Sequence, residues 1–310
     1  MISVRHISKS YGKKGEIKAL QDVSFEVAPG TLFGLIGPDG AGKTSLFRIL
    51  TTLLLPDAGE AQVLGFDVKT QLSEIRSRVG YMPGRFSLYQ DLSVEENLSF
   101  YATLFNTTIE ENYHLIKPIY QQIAPFKNRR AGALSGGMKQ KLALCCALIH
   151  KPGVLFLDEP TTGVDVVSRK EFWEMLSALK KEGITILVST PYMDEAALCD
   201  NIALLHEGKI LSIAPPHQIA HSIKTAVWEV KVKKIYTAIR LLEGFAGVAS
   251  VYPFGESLHI TLDDDRTDAG FVEAWLTRAG LPDVTVQAIQ PGIEDAFLMM
   301  MTDTHKKSQS

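Results

Sequence analysis

Apolar and polar positions over the first two hundred residues alternate between two patterns. Short apolar, β-branched runs at residues 23–27, 32–36 and 184–188 predict strands. Apolar residues recur at helical spacing over 44–54, 91–104, 109–123 and 168–181, the last with Phe172, Leu176 and Leu179 on one side. Another apolar run, 154–157, ends in two acids. Strands alternating with helices predict an α/β fold on a largely parallel sheet. After Pro215 and Pro216 the pattern changes. Strands are expected at 227–232, 248–252, 258–262 and 284–289, with helices at 236–242, 269–279 and 293–301. The order β-α-β-β-α-β is that of a split βαβ, ferredoxin-like unit. The domain boundary is therefore expected near 215–225, and the polar tail 305–310 is expected to fray.

Composition narrows the function classes. The 310 residues are 45% apolar and 22% charged, which excludes a disordered chain, a collagen-like fibre and a coiled-coil rod. A net charge of −3 gives no bulk attraction for nucleic acid, so no nucleic-acid partner is expected. Neither a signal peptide nor a membrane span is expected, since the longest apolar run, 142–149, falls far short of the roughly 18 residues a spanning helix needs. Cys145, Cys146 and Cys199 form no ligand-spaced set and read as buried, reduced thiols. Trp228 and Trp275 read as core residues.

The chemistry concentrates at three places. Gly37-Pro38-Asp39-Gly40-Ala41-Gly42-Lys43-Thr44 fits G-x-x-x-x-G-K-[ST] between a predicted strand and a predicted helix. Glycines let such a backbone wrap an anion with inward N–H groups, and the helix start adds partial positive charge. Lys43 can reach outer phosphates, and the Thr44 hydroxyl can hold Mg²⁺. The strand 154–157 delivers Asp158 and Glu159 at its C-terminal edge, where ligands sit in open α/β sheets. Asp158 would hold Mg²⁺, and Glu159 would orient or deprotonate an attacking water. Ser135-Gly136-Gly137, before a helical run, is a second possible anion nest: a capping hydroxyl, bare backbone and a helix start.

A phosphate loop, then Leu134-Ser135-Gly136-Gly137, then a strand ending in Asp158-Glu159-Pro160 resembles the ATP-binding cassette (ABC) ATPases over residues 1–220. The resemblance implies an ABC ATPase cassette with a mixed sheet core and a helical subdomain near 85–148, followed by a small α+β domain at 225–304. It implies ATP and Mg²⁺ as ligands. It also implies a second cassette in a head-to-tail dimer, with Ser135, Gly136 and Gly137 acting on the nucleotide of the opposite subunit. Tyr11 matches the family's adenine-stacking ring, and Ser45 the hydroxyl near the α-phosphate. Residues 162–165 match the loop that links the two sites. Asp39 stands where Asn is usual and puts an acid beside the triphosphate.

Two departures bear on activity. Gly84 stands where the family places a glutamine that touches Mg²⁺ and water, and Pro191 where it places a histidine on the γ-phosphate. Losing one preorganised donor costs about 3–4 kcal/mol, roughly a hundred- to thousandfold in rate. A slow site paired with a partner cassette is therefore expected, with a nucleotide-gated regulatory subunit as the alternative. Residues 86–98 resemble bacterial exporters of multidrug type whose permease is a separate chain. That resemblance implies membrane permease partners and a cytoplasmic location on the inner face of the membrane. The same stretch holds a capping box, Ser93 with Glu96. The motif at 293–298 resembles the end of the small domain appended to some exporter ATPases.

Overall fold

In the computed structural model, residues 1–13, 15–263 and 269–309 are described, with backbone alone for 269 and 303–309. Contacts divide the chain into two compact units, Met1–Pro216 and His217–Ser310.

The strands of the first unit are β1 (Ile2–Tyr11), β2 (Ile17–Val27), β3 (Leu32–Ile36), β4 (Ala58–Val63), β5 (Phe66–Asp67), β6 (Val79–Met82), β7 (Val154–Asp158), β8 (Thr185–Thr190), β9 (Asn201–His206) and β10 (Lys209–Ala214). One sheet has the order β10-β9-β3-β8-β7-β6. Its pairs from β9 to β6 are parallel, and only β10 runs antiparallel. Every residue of β3, β7 and β8 is buried, which explains their unbroken apolar runs. This is the largely parallel sheet expected from the apolar runs, and a second, antiparallel sheet, β2-β1-β4-β5, makes the core mixed. Its first strand hides from a period-2 reading. Ile2, Val4 and Ile7 are all buried, but a register shift lies between Val4 and Ile7, and His6 adopts φ 53°. The extra residue reverses the phase of the alternation.

Helix Lys43–Leu50 touches β2 and β4 of one sheet and β7 of the other. Its Leu46, Phe47 and Leu50 join Val4, Phe25, Phe33, Phe156 and Leu187 in one core. The phosphate loop is thus mounted on a helix fixed from both sides. Three longer helices, Val94–Leu104, Tyr113–Ile123 and Gly136–Leu148, fill the stretch between β6 and β7. Ser93 and Glu96 form the expected capping box. Cys145, Cys146 and Cys199 are buried free thiols. Among the described residues, no helix is long and apolar enough to cross a membrane.

The second unit pairs β11 (Val227–Lys231), β12 (Val248–Phe254), β13 (Ser257–Leu262) and β14 (Thr285–Ile289) in the order β12-β13-β11-β14, all antiparallel. Helix Ile235–Glu243 links β11 to β12 with β13 lying between them, which is the split βαβ arrangement. Val230, Leu258, Ile260, Val272 and Leu276 form its core. Trp275 is 41% exposed and leans on Phe245 at 5.2 Å, so it lies at the rim of that core. The last helix, Ile293–Gln309, runs well past the predicted 301 and into the tail expected to fray; Ser310 lies outside the described residues.

Candidate functional site

The loop from β3 to helix Lys43–Leu50 is held tightly. A Cβ on Gly37 would lie 2.1 Å from the Leu205 carbonyl oxygen, and one on Gly42 2.2 Å from that of Ala19. Gly42 is the helix N-cap at φ 110°. The Gly208 N–H donates to the Ala41 carbonyl at 3.0 Å and braces the loop from β9–β10. Pro38, Asp39 and Gly40 are exposed at its tip, and Ala41 is buried. Asp39 has no side-chain partner among the described residues, so nothing braces the loop through it.

Lys43 is 3% exposed. Its Nζ donates to the carbonyls of Gly37 at 2.8 Å and Pro38 at 3.1 Å, and sits 3.0 Å from Glu159 Oε1. An ammonium inside a ring of carbonyls, with a carboxylate opposite, marks a place that selects strongly for charge. Thr44 and Ser45 follow in the first turn, half-buried. The Tyr11 hydroxyl, at the end of β1, lies 3.0 Å from Ser45 Oγ. The first strand and the phosphate helix therefore share one edge of the site.

Asp158 closes β7 directly opposite Ser189 of β8 and is 2% exposed. Ser189 Oγ donates to Asp158 Oδ1 at 2.7 Å and accepts from the Glu159 N–H at 3.0 Å. One hydroxyl thus orients both acids. Glu159 turns sharply out of the strand at φ 50°, a left-handed conformation that costs a non-glycine residue about 1–2 kcal/mol and aims its carboxylate at Lys43. Tyr81 lies near this edge, with its hydroxyl pKa pushed up to about 12 by burial and by the Asp158 charge. A Cβ on Gly84 would lie 3.1 Å from the Asp158 carbonyl oxygen and 3.9 Å from Glu159 Cβ, so position 84 borders the acids. Pro191 immediately follows β8, whose last residue, Thr190, accepts from the Gly37 N–H at 3.4 Å.

The serine–glycine nest stands apart from this cluster. Ser135 caps helix Gly136–Leu148, its Oγ accepting from the Met138 N–H at 3.4 Å. A Cβ on Gly137 would meet Ser168 Oγ at 2.7 Å, so the nest packs against the start of helix Val166–Lys181. Asp165 caps that helix, accepting from the Ser168 N–H at 3.0 Å. Among the described residues, no hydrogen bond joins 135–137 to 37–45, and both Ser135 and Gly136 are exposed. The chain thus brings Tyr11, residues 37–45, Asp158 and Glu159 together and turns 135–137 outward elsewhere. Sequence reasoning missed Ser189, Tyr81, Thr161, Thr190 and Glu195. Their residue types are common, and only the parallel pairing of β7 with β8 makes most of them neighbours.

The fold and this loop define a P-loop nucleotide-binding protein. A family model described as "ABC transporter" matches residues 20–162. The chain is 38% identical over 291 residues to the probable multidrug ABC transporter ATP-binding protein YbhF of Escherichia coli K12, covering 91% of this chain but 49% of that protein. It thus spans about half the length of that relative. It is 33% identical over 316 residues to the doxorubicin resistance ATP-binding protein DrrA of Mycobacterium tuberculosis H37Rv, covering 97% of this chain and 94% of that one. A dimeric structure of MJ0796, a bacterial ABC transporter cassette, superposes with a TM-score of 0.63 at 26% identity, over 69% of this chain and 98% of that one. The chain belongs to the ABC transporter family, as an ATP-binding cassette.

Proposed function

We propose that the chain is the ATP-hydrolysing subunit of an exporter and works on separate membrane permease subunits from the inner face of the cytoplasmic membrane. The observation that carries this reading is the convergence of Lys43, Asp158 and Glu159 at one sheet edge beneath the phosphate loop. Lys43 and the loop amides of residues 37–42 would bind the outer phosphates. Tyr11 would stack on the adenine, and Ser45 would lie near the α-phosphate. Thr44 and Asp158 offer hard oxygen donors suited to Mg²⁺, which would neutralise phosphate charge when bound. Glu159 would orient the attacking water. Its present pairing with Lys43 is a contact a triphosphate would replace, since the lysine then has phosphate oxygens to meet.

Ser135, Gly136 and Gly137, which make no hydrogen bond to residues 37–45 among the described residues, would complete the nucleotide site of a second cassette. Gly84 and Pro191 supply neither a side-chain donor nor an acceptor beside Asp158 and Glu159. The chain's own site would therefore turn over slowly, and the intact nest suits a different partner with a faster site. The alternative is a nucleotide-gated subunit that hydrolyses little; Pro191 is the observation that favours it. For the permease, Phe100 and Leu104 line an exposed cleft, and Phe100 is in edge contact at 4.8 Å with exposed Tyr89. A separate cavity of about 230 Å³ is lined by Met82, Leu88, Tyr101 and Phe105 among others. These apolar surfaces suit a short permease helix. The relatives' names, which speak of multidrug transport, doxorubicin resistance and Nod factor export, support export as the direction of transport. The composition and the proposed partners leave nucleic acid without a role.

Steady-state ATPase activity of the purified chain, alone and with any co-purifying cassette, tests the reading. Glu159→Gln is expected to abolish activity. A large rise on adding the partner, and a rise in the lone chain on Pro191→His, would establish the slow site. Robust activity in the lone wild type would make it an ordinary self-sufficient cassette. Activity insensitive to Glu159→Gln would sink the whole assignment.

A further inference from the structure

Two loops leave the sheet side by side after β7 and β8. The first, 159–165, folds through tight turns: Thr162 N–H donates to the Glu159 carbonyl, and Val164 N–H to that of Thr161. The second carries Pro191 and Tyr192 into the short helix Met193–Ala196. Backbone pairing of β7 with β8 ends at Asp158 and Ser189, and the Glu159 N–H adds a bond to the Ser189 carbonyl at 3.1 Å. Beyond that point, one side chain, Glu195, bonds to both loops.

Glu195 is 2% exposed, and each of its carboxylate oxygens serves a different loop. Oε1 accepts from Thr161 Oγ1 at 2.7 Å. Oε2 accepts from Thr190 Oγ1 at 2.5 Å, and that hydroxyl in turn accepts from the Tyr192 N–H at 3.1 Å. Thr161 and Thr190 are themselves buried. Arg169, from helix Val166–Lys181, brings its Nε to 3.7 Å of Oε1 and its guanidinium to 4.5 Å over the Tyr192 ring. An ionised carboxylate only accepts, so both threonine hydroxyls must point at it, and the geometry of both loop roots is fixed together. Buried charge persists only where it is paired and hydrogen-bonded, and a buried pair is a specificity device more than a source of stability.

We propose that Glu195 is a positioning residue that makes these two loops move as one. The proposal rests on the cassette reading above, with 162–165 taken as the match to the family's loop that links the two sites and Pro191 as the match to its γ-phosphate position. Thr161 lies two residues after Glu159 and one before the loop at 162–165. Thr190 lies one residue before Pro191, and its carbonyl accepts from Gly37 in the phosphate loop. Closure of a partner against the first loop would thus be felt at the phosphate through the second. With Pro191 offering no side-chain contact to phosphate, holding this loop's shape is what the segment can still contribute.

The test uses the full chain with its co-purified partners and the variants Glu195→Gln and Thr161→Val. Glutamine keeps the volume but offers only one acceptor oxygen to two hydroxyl donors. Valine removes one arm and leaves the carboxylate. Both variants are expected to bind a fluorescent ATP analogue within about twofold of wild type, while kcat falls about tenfold or more with KM within about threefold. Backbone amides of 159–165 and 190–193 should gain hydrogen exchange together in Glu195→Gln. A folded variant with wild-type kcat, or faster exchange in one segment alone, would overturn the proposal. Should Glu195→Gln not fold, Thr161→Val decides by the same kcat and KM readout. Failure of the functional reading is separable: wild type would then not hydrolyse ATP, and the paired exchange response would still report on the clamp.

Discussion

Gly37, Gly40 and Gly42 are glycine for different reasons. Gly40 stands at φ 80° with open space around its missing Cβ, so Gly40→Ala meets only backbone strain, about 1–2 kcal/mol. Gly42→Ala adds to that strain a methyl 2.2 Å from the Ala19 carbonyl, and about 2–4 kcal/mol is expected. Urea midpoints should rank wild type above Gly40→Ala above Gly42→Ala; equal midpoints for the two variants would show that the clash relaxes away. At Tyr11 the ring and the hydroxyl can be separated. Tyr11→Phe loses only the contact with Ser45, whereas on the proposed reading Tyr11→Ala would also lose a stacking surface worth about 1–3 kcal/mol on a base. Nucleotide titrations should therefore show a much weaker Tyr11→Ala and a nearly normal Tyr11→Phe. The glycines, Lys43 and the acid pair were legible because their spacing along the chain is itself the signal. Ser189 and Glu195 were not, because Asp158 lies 31 residues from Ser189 and Thr161 lies 34 from Glu195, and a serine or glutamate at those positions is unremarked without the strand pairing.

At the scale of elements, local rules and long-range packing separate cleanly. Helix Val94–Leu104 begins where the capping box says, because both halves of that box lie within four residues. Ser93→Ala should cost about 1 kcal/mol, read from denaturant unfolding. The Glu96 carboxyl is held below its ordinary range by the Ser93 N–H and hydroxyl. Its folded pKa is depressed, so the cap contributes fully above about pH 4.5 and fades as pH falls through the folded value. His150 behaves in the opposite chemical sense. It follows helix Gly136–Leu148, its Nε2 lies 3.1 Å from the Val79 carbonyl of β6, and its ring stacks on Phe105 at 3.7 Å. Burial holds its pKa below 6.5 despite that carbonyl. The unfolded chain takes up a proton near pH 6.5 that the fold resists, so stability is full above 6.5 and is lost as pH falls below it. Unfolding midpoints should drop more between pH 7.5 and 5.5 for wild type than for His150→Leu; an equal drop would remove His150 from the account. The antiparallel sheet was the element the chain concealed, since the bulge near His6 scrambles the alternation that announces a strand.

The whole molecule is two units with separate cores, one built around Phe47, Phe156 and the sheets beside them, the other around Leu258, Ile260 and Val272. Leu258→Ala should destabilise the second unit by about 2–5 kcal/mol and leave nucleotide affinity within about twofold. Limited proteolysis and an ATP-analogue titration on the same variant check both halves; lost affinity would mean the units share stability. By itself the sequence determined the nucleotide-binding motifs, the alternation of strands and helices that carries them and the change of pattern after Pro216, because each is written in spacing over a few consecutive residues. Tertiary structure alone decided which side chains hold that chemistry in place. Ser189 reaches Asp158, and Glu195 joins Thr161 to Thr190, because β7 and β8 run parallel and in register, and that pairing depends on burying both strands at once. Local sequence records what a residue can bond to; only the closed core records what it stands beside.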